Sequence, residues 1–156
     1  MPVPTPSDHT IQELDTAFGA TRYRIETDAG IREVRIGQRH TFFDRLAEAC
    51  RWCIITAHNP GARRVDSSVN QRAEKALERR LRARRPSLLL RAVNRDPGGR
   101  WPDEPGWLFT FERDAEVDEL ADAFGQLAVV IGDPGQPARL HFCTDPARVG
   151  RRFPSE

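Results

Sequence analysis

Seven side chains have the chemistry and the loop-proximal positions to hold a ligand: His58, Asn59, Asn70, Arg72, Trp101, Glu104 and Gln126. His58 and Asn59 follow the apolar run 53–57 and precede Pro60-Gly61, a turn signal. Asn70 and Arg72 lie in the first turn of a helical pattern. A helix N-terminus presents free N–H groups and partial positive charge, which suits an anion. Arg72 would add a two-pronged donor, Trp101 an aromatic wall, and Glu104 a carboxylate. Together they suggest a polar pocket for an anionic or amide-bearing small molecule. His58 near Glu104 would make a base oriented by a carboxylate, but nothing supplies a nucleophile, so no reaction follows.

Each of these residues also has a bracing role open to it. Asn59-Pro60 is a good turn in its own right. Asn70 suits a helix start, and Arg72 could pair with Glu74. Trp101 could pin the long loop, and Glu104 could hold that loop by accepting backbone N–H groups. A protein-interaction or regulatory module is the rival reading. Pocket geometry decides between the two: a lined cavity favours a ligand, an exposed apolar patch a protein partner.

Two further motifs bear on chemistry. Cys50-Arg51-Trp52-Cys53 is a C-x-x-C, but it straddles a helix end and a strand start, the wrong polarity for a redox helix. A zinc site there would need Cys143, His40 or His141 as well. Buried structural cysteines, no metal and no cofactor are therefore expected. Arg79-Arg80-Leu81-Arg82-Ala83-Arg84-Arg85 is a basic run at a helix end, where positive charge complements the dipole. It lacks the interleaved aromatics that stack on bases, so a solvated face is favoured over nucleic acid. Nucleotide loops, nucleophile elbows and H-E-x-x-H are absent from the sequence.

The elements that must position these groups follow from periodicity. Ile11, Leu14 and Phe18 recur at helical spacing. Residues 21–27 and 31–36 alternate around Asp28-Ala29-Gly30, as in a hairpin. Thr41 with Asp44 resembles a capping box, ahead of a stripe of Phe43, Leu46, Ala47 and Cys50. Residues 53–57 read as a strand buried on both faces. Ser68 and Gln71 cap a long helix with a Val69, Ala73, Leu77, Leu81 stripe, stopped by Pro86. Strands are expected at 87–93, 107–111, 127–131 and 139–143, with a helix from Asp114 between the second and third. Residues 94–106 hold three prolines and three glycines, and read as a long loop.

The order α-β-β-α-β-α-β-β-α-β-β predicts an α+β fold. One domain is expected over 9–143, a mixed β-sheet of six to seven strands covered by four helices, with tails at 1–8 and 144–156. Composition agrees: 156 residues, 38% apolar, 30% charged and a net charge of +1 fit one folded domain without the basic excess of a nucleic-acid binder. Lys75 is the only lysine among many arginines. The sequence carries neither a signal-peptide pattern nor a run of apolar residues long enough to span a bilayer. Three cysteines suit a reducing compartment. Cytoplasmic placement is the expectation.

Four segments together resemble a bacterial family of uncharacterised proteins, domain of unknown function 3293. They are Phe18-Gly19-Ala20-Thr21-Arg22-Tyr23-Arg24, Ile55-Thr56-Ala57-His58-Asn59-Pro60, Asp96-Pro97-Gly98-Gly99-Arg100-Trp101-Pro102-Asp103-Glu104-Pro105 and Phe124-Gly125-Gln126-Leu127-Ala128, with Asn70 and Arg72 between them. The resemblance spans roughly residues 18–131 and implies an α/β architecture. It implies no activity. His58 departs from the pattern, which has tryptophan there more often.

Overall fold

Alternation in residues 22–27 turns Tyr23 and Ile25 inward, and Gly30, at φ +97°, closes the tight turn to the next strand. In the computed structural model, which describes residues 6–143, these strands are β1 (Arg22–Thr27) and β2 (Gly30–Val34), preceded by α1 (Pro6–Ala20). Then come α2 (Thr41–Leu46), β3 (Arg51–Thr56), a 3-10 turn (Pro60–Ala62) and α3 (Ser67–Arg84). The chain continues as β4 (Leu89–Arg95), β5 (Glu104–Phe111), α4 (Asp114–Ala123), β6 (Ala128–Gly132) and β7 (Arg139–Phe142). Residues 6–8, assigned from sequence to a tail, open α1. The proposed tail at 144–156 and the first residues of the chain lie outside the described residues.

All seven strands join one sheet in the order β2-β1-β4-β5-β3-β6-β7. One face carries Cys53, Ile55, Trp107, Phe109, Val129 and Ile131, and is closed by Leu77 and Leu81 of α3 and Val117, Leu120 and Ala121 of α4. The other face carries Tyr23, Ile25, Val34, Trp52, Ile54, Leu108 and Val130, and packs on Phe43, Ala47 and Phe18. Covering both faces explains why β3 is apolar without alternation: it is central and buried on each side. The α+β class, the element order and the helix count agree with the sequence.

The expected mixed sheet is corrected by the pairings, which are antiparallel at every described ladder. The continuous apolar run of β3 reports burial on two faces, which a parallel neighbour is not needed to produce. Strands β3 and β4 do run parallel, but β5 lies between them; β5 and β6 also run parallel, with β3 between them. The crossovers through α3 and α4 each skip one strand, and an antiparallel strand fills the gap.

Local differences have local causes. Helix α2 stops at Leu46, because Glu48 and Ala49 take left-handed conformations at φ 51° and 62°. Leu46 and Cys50 therefore leave the expected stripe and are exposed, while Phe43 and Ala47 stay buried. Asp44 does not cap α2: it accepts Trp52 Nε1–H at 3.2 Å and the Gly135 N–H at 3.0 Å. The N-cap of α3 is Asp66, not Ser68. The long loop shortens to 96–103, because β4 extends to Arg95 and β5 begins at Glu104.

Candidate functional site

Six of the seven expected residues meet at the end of β3, in two hydrogen-bonded sets, Asn59-Asn70-Glu104-Trp101 and His58-Gln126, joined through the His58–Asn59 peptide. Asn59 leaves β3 in a left-handed conformation, φ 51° and ψ 61°, which asparagine tolerates well. Its backbone N–H donates to Asn70 Oδ1 at 2.8 Å, and Asn70 Nδ2 donates back to Asn59 Oδ1 at 3.1 Å. Asn59 Oδ1 also accepts the Val65 N–H at 3.2 Å, and Asn59 Nδ2 donates to Glu104 Oε2 at 3.2 Å. The other oxygen of Glu104 accepts Trp101 Nε1–H at 2.9 Å. Gln126 Nε2 donates to the backbone oxygens of His58 and Phe124 at 3.1 and 3.2 Å. His58 Nε2 lies 3.1 Å from Glu74 Oε2, and Glu74 also receives Arg91 at 3.4 Å.

The loop 96–103 is folded around a second carboxylate. Asp96 accepts the backbone N–H groups of Gly98, Arg100 and Trp101 at 3.0, 2.9 and 3.1 Å. These bonds, the one from Gly98 foremost, hold its carboxyl below the usual aspartate range. Arg64 donates to the Arg100 oxygen at 2.6 Å, and its guanidinium lies 5.1 Å from the Trp101 ring centroid. Glu104 shifts the other way. Burial pushes its carboxyl up, and the hydrogen bonds from Trp101 and Asn59, with the charge of His58, offset this only in part. On the far side, the Gly125 oxygen accepts Gly61 N–H at 2.7 Å. Gly125 has φ +63°, and a Cβ there would meet Pro60 Cβ at 2.7 Å, so only glycine allows this approach.

Arg72 stands apart: it is exposed on α3, and Glu74 is engaged by His58 and Arg91 instead. Cys50 faces solvent and Cys53 is in the core, so the C-x-x-C does not act as a pair. The basic run is largely engaged within the fold: Arg82 with Glu78 at 3.1 Å, Arg84 with Glu119 at 3.4 Å, and Arg80 5.8 Å from the Phe124 ring.

A groove of about 420 Å³, lined by Arg22, Arg24, Glu33, Arg95 and Pro97, was not among the expected sites. Register explains it. Tyr23 and Ile25 face the core, so Arg22 and Arg24 face the opposite side of β1, where neither α3 nor α4 supplies core contacts. Arg22 stands directly opposite Arg95 of β4, and Arg24 opposite Glu33 of β2. Arg22 reaches Glu33 only at 3.9 Å, and Arg24 and Arg95 have no carboxylate partner among the described residues. The alternation Arg22-Tyr23-Arg24-Ile25 held this signal, but Arg95 joins it only through strand pairing. At the other end of the sheet, Asp118, His141 and Cys143 bring their ligand atoms within 4.8 Å of one another, a grouping the sequence reading did not assemble.

The architecture defines a seven-stranded antiparallel α+β sandwich whose loop network adjoins a basic groove. Residues 55–129, from within β3 to within β6, match the family model described as a protein of unknown function, DUF3293. No curated protein and no solved structure matches the chain.

Proposed function

We propose that this protein binds a small anionic ligand, seated in the groove of Arg22, Arg24 and Arg95, while the network of His58, Asn59, Asn70, Trp101, Glu104 and Gln126 fixes the adjoining loops. The observation that carries this reading is the direct opposition of Arg22 and Arg95 across β1 and β4, with no carboxylate partner for Arg24 or Arg95 among the described residues. Like charges facing each other across a ladder destabilise it, and a phosphate or carboxylate between them reverses the sign. Arginine forks suit such groups in two-pronged geometry, and the groove volume falls within the range of small-molecule sites, roughly 300–1,000 Å³.

The loop network supports the groove. Pro97 lines the groove, and Asp96 beside it grips the backbone leading to Trp101. The amides of Asn59 and Asn70 are engaged with each other and with Glu104, which favours bracing for these residues over direct ligand contact. The protein-docking alternative has less support: among the described residues, the exposed large apolar side chains, Ile31, Leu46 and Val69, sit on three different elements.

A thermal-shift series with inorganic phosphate, pyrophosphate, nucleotides, sugar phosphates and amino acids tests the reading. A ligand at a hundredfold its Kd adds about 2.7 kcal/mol of stability. Arg24→Ala and Arg95→Ala should abolish the shift, and Arg72→Ala should leave it. Absence of any shift, or loss with Arg72→Ala alone, would overturn the proposal.

A further inference from the structure

We propose a second site at the opposite edge of the sheet, where Asp118, His141 and Cys143 bind a divalent transition-metal ion, zinc fitting best. Two elements supply the donors. His141 is in β7, and Cys143 follows that strand, its N–H donating to the Leu127 oxygen at 3.0 Å. Spacing of two on an extended strand puts both side chains on one face. That face is the one α4 covers, and Asp118 of α4 reaches His141 Nε2 at 2.8 Å.

The three ligand atoms lie within 4.8 Å of one another. A tetrahedral zinc ion with bonds of about 2.0–2.3 Å needs its ligand atoms roughly 3.3–3.8 Å apart. Opening the Asp118–His141 pair from 2.8 Å by about 0.5 Å, and closing the longer separations by at most about 1.5 Å, both within reach of rotamer adjustment, would bring them to that spacing. The donor set of one thiolate, one imidazole and one carboxylate is the sulfur, nitrogen and oxygen mixture that zinc accepts.

The charges around the cluster favour a cation. Asp114, one turn earlier on α4, is paired with Arg51 at 2.7 Å, whereas Asp118 has His141 as its partner. Among the described residues, the Cys143 thiol has only a long contact of 3.7 Å to the His141 oxygen. A divalent ion would pair with carboxylate and thiolate together, the Cys143 proton leaving to solvent as the metal binds. Asp118 and His141 are only partly buried, which leaves an entry path and room for a water as fourth ligand.

The test is titration of the full chain with Co²⁺, followed by absorption. Wild type should give a stoichiometric near-ultraviolet thiolate-to-cobalt band with tetrahedral visible bands, and Zn²⁺ should abolish both. Cys143→Ser should remove the thiolate band, Asp118→Asn and His141→Ala should weaken affinity at least tenfold, and Cys50→Ser should change nothing. Circular dichroism on each variant separates loss of the site from loss of the fold. Should His141→Ala fail to fold, Asp118→Asn, at a half-exposed position, carries the same test. Absence of a thiolate band at one equivalent, or a band lost with Cys50→Ser but kept with Cys143→Ser, would overturn the proposal.

Discussion

Asn59 is the residue on which the loop network turns. Both groups of its side-chain amide and its backbone N–H are hydrogen-bonded, to Asn70, Glu104 and Val65. A buried donor or acceptor that loses its partner costs about 1–3 kcal/mol. Asn59→Ala and Asn70→Ala should each lower the unfolding free energy by about 2 kcal/mol in urea titrations. In a double-mutant cycle they should couple by about 0.5–3 kcal/mol, as members of one network do; strict additivity would show that they act separately. Glu104 adds a pH dependence. Its folded-state carboxyl is raised from the ordinary 4.5 by burial, so above that value the unfolded chain releases a proton that the folded chain retains. The stability it contributes is complete below about 4.5 and is lost as pH rises through the folded value. Glu104→Gln should flatten that decline in a pH series of urea titrations, and an unchanged slope would contradict the assignment. The residue types here were legible in the sequence, because loop asparagines, a tryptophan and a glutamate are unusual enough to single out. Their partners were not, since whether Asn70 meets Asn59 or a ligand depends on where two loops come to rest.

At the scale of elements, the order of strands and helices was written in periodicity, and the neighbours were not. The insertion of β5 between β3 and β4, and of β3 between β5 and β6, is a long-range choice that no local pattern encodes. For the same reason Arg95 entered the groove unannounced, while Arg22 and Arg24 were visible as the outward half of an alternating strand. Arg72 was singled out by its place in a helix's first turn, but helix phase leaves it exposed, away from the network. The turn from α4 into β6 is sensitive to a single methyl group. Gly125→Ala must place a Cβ against Pro60 at 2.7 Å and hold a φ of +63°. A loss of about 2 kcal/mol is expected from the strained backbone, with amide exchange quickening around 58–61. A neutral effect would mean that the two turns are free to separate.

For the molecule as a whole, one sheet carries two polar edges of different character. The β2-β1-β4 edge is basic and suits an anion; the β7 edge joins a thiol, an imidazole and a carboxylate. The core between them is closed on both faces by helices, and the net charge is close to zero, so the groove's field is local. Anion binding there should weaken with added salt, as exposed ion pairs are screened beyond about 8–10 Å. The most direct test follows the backbone amide and arginine Nε resonances in ¹H–¹⁵N spectra during titration with pyrophosphate. Saturable shifts confined to β1, β4 and the side chains of Arg22, Arg24 and Arg95, absent in Arg24→Ala, are the predicted result. Shifts centred on α3 and its arginine run, or none at all, would contradict the assignment of the groove as the ligand site.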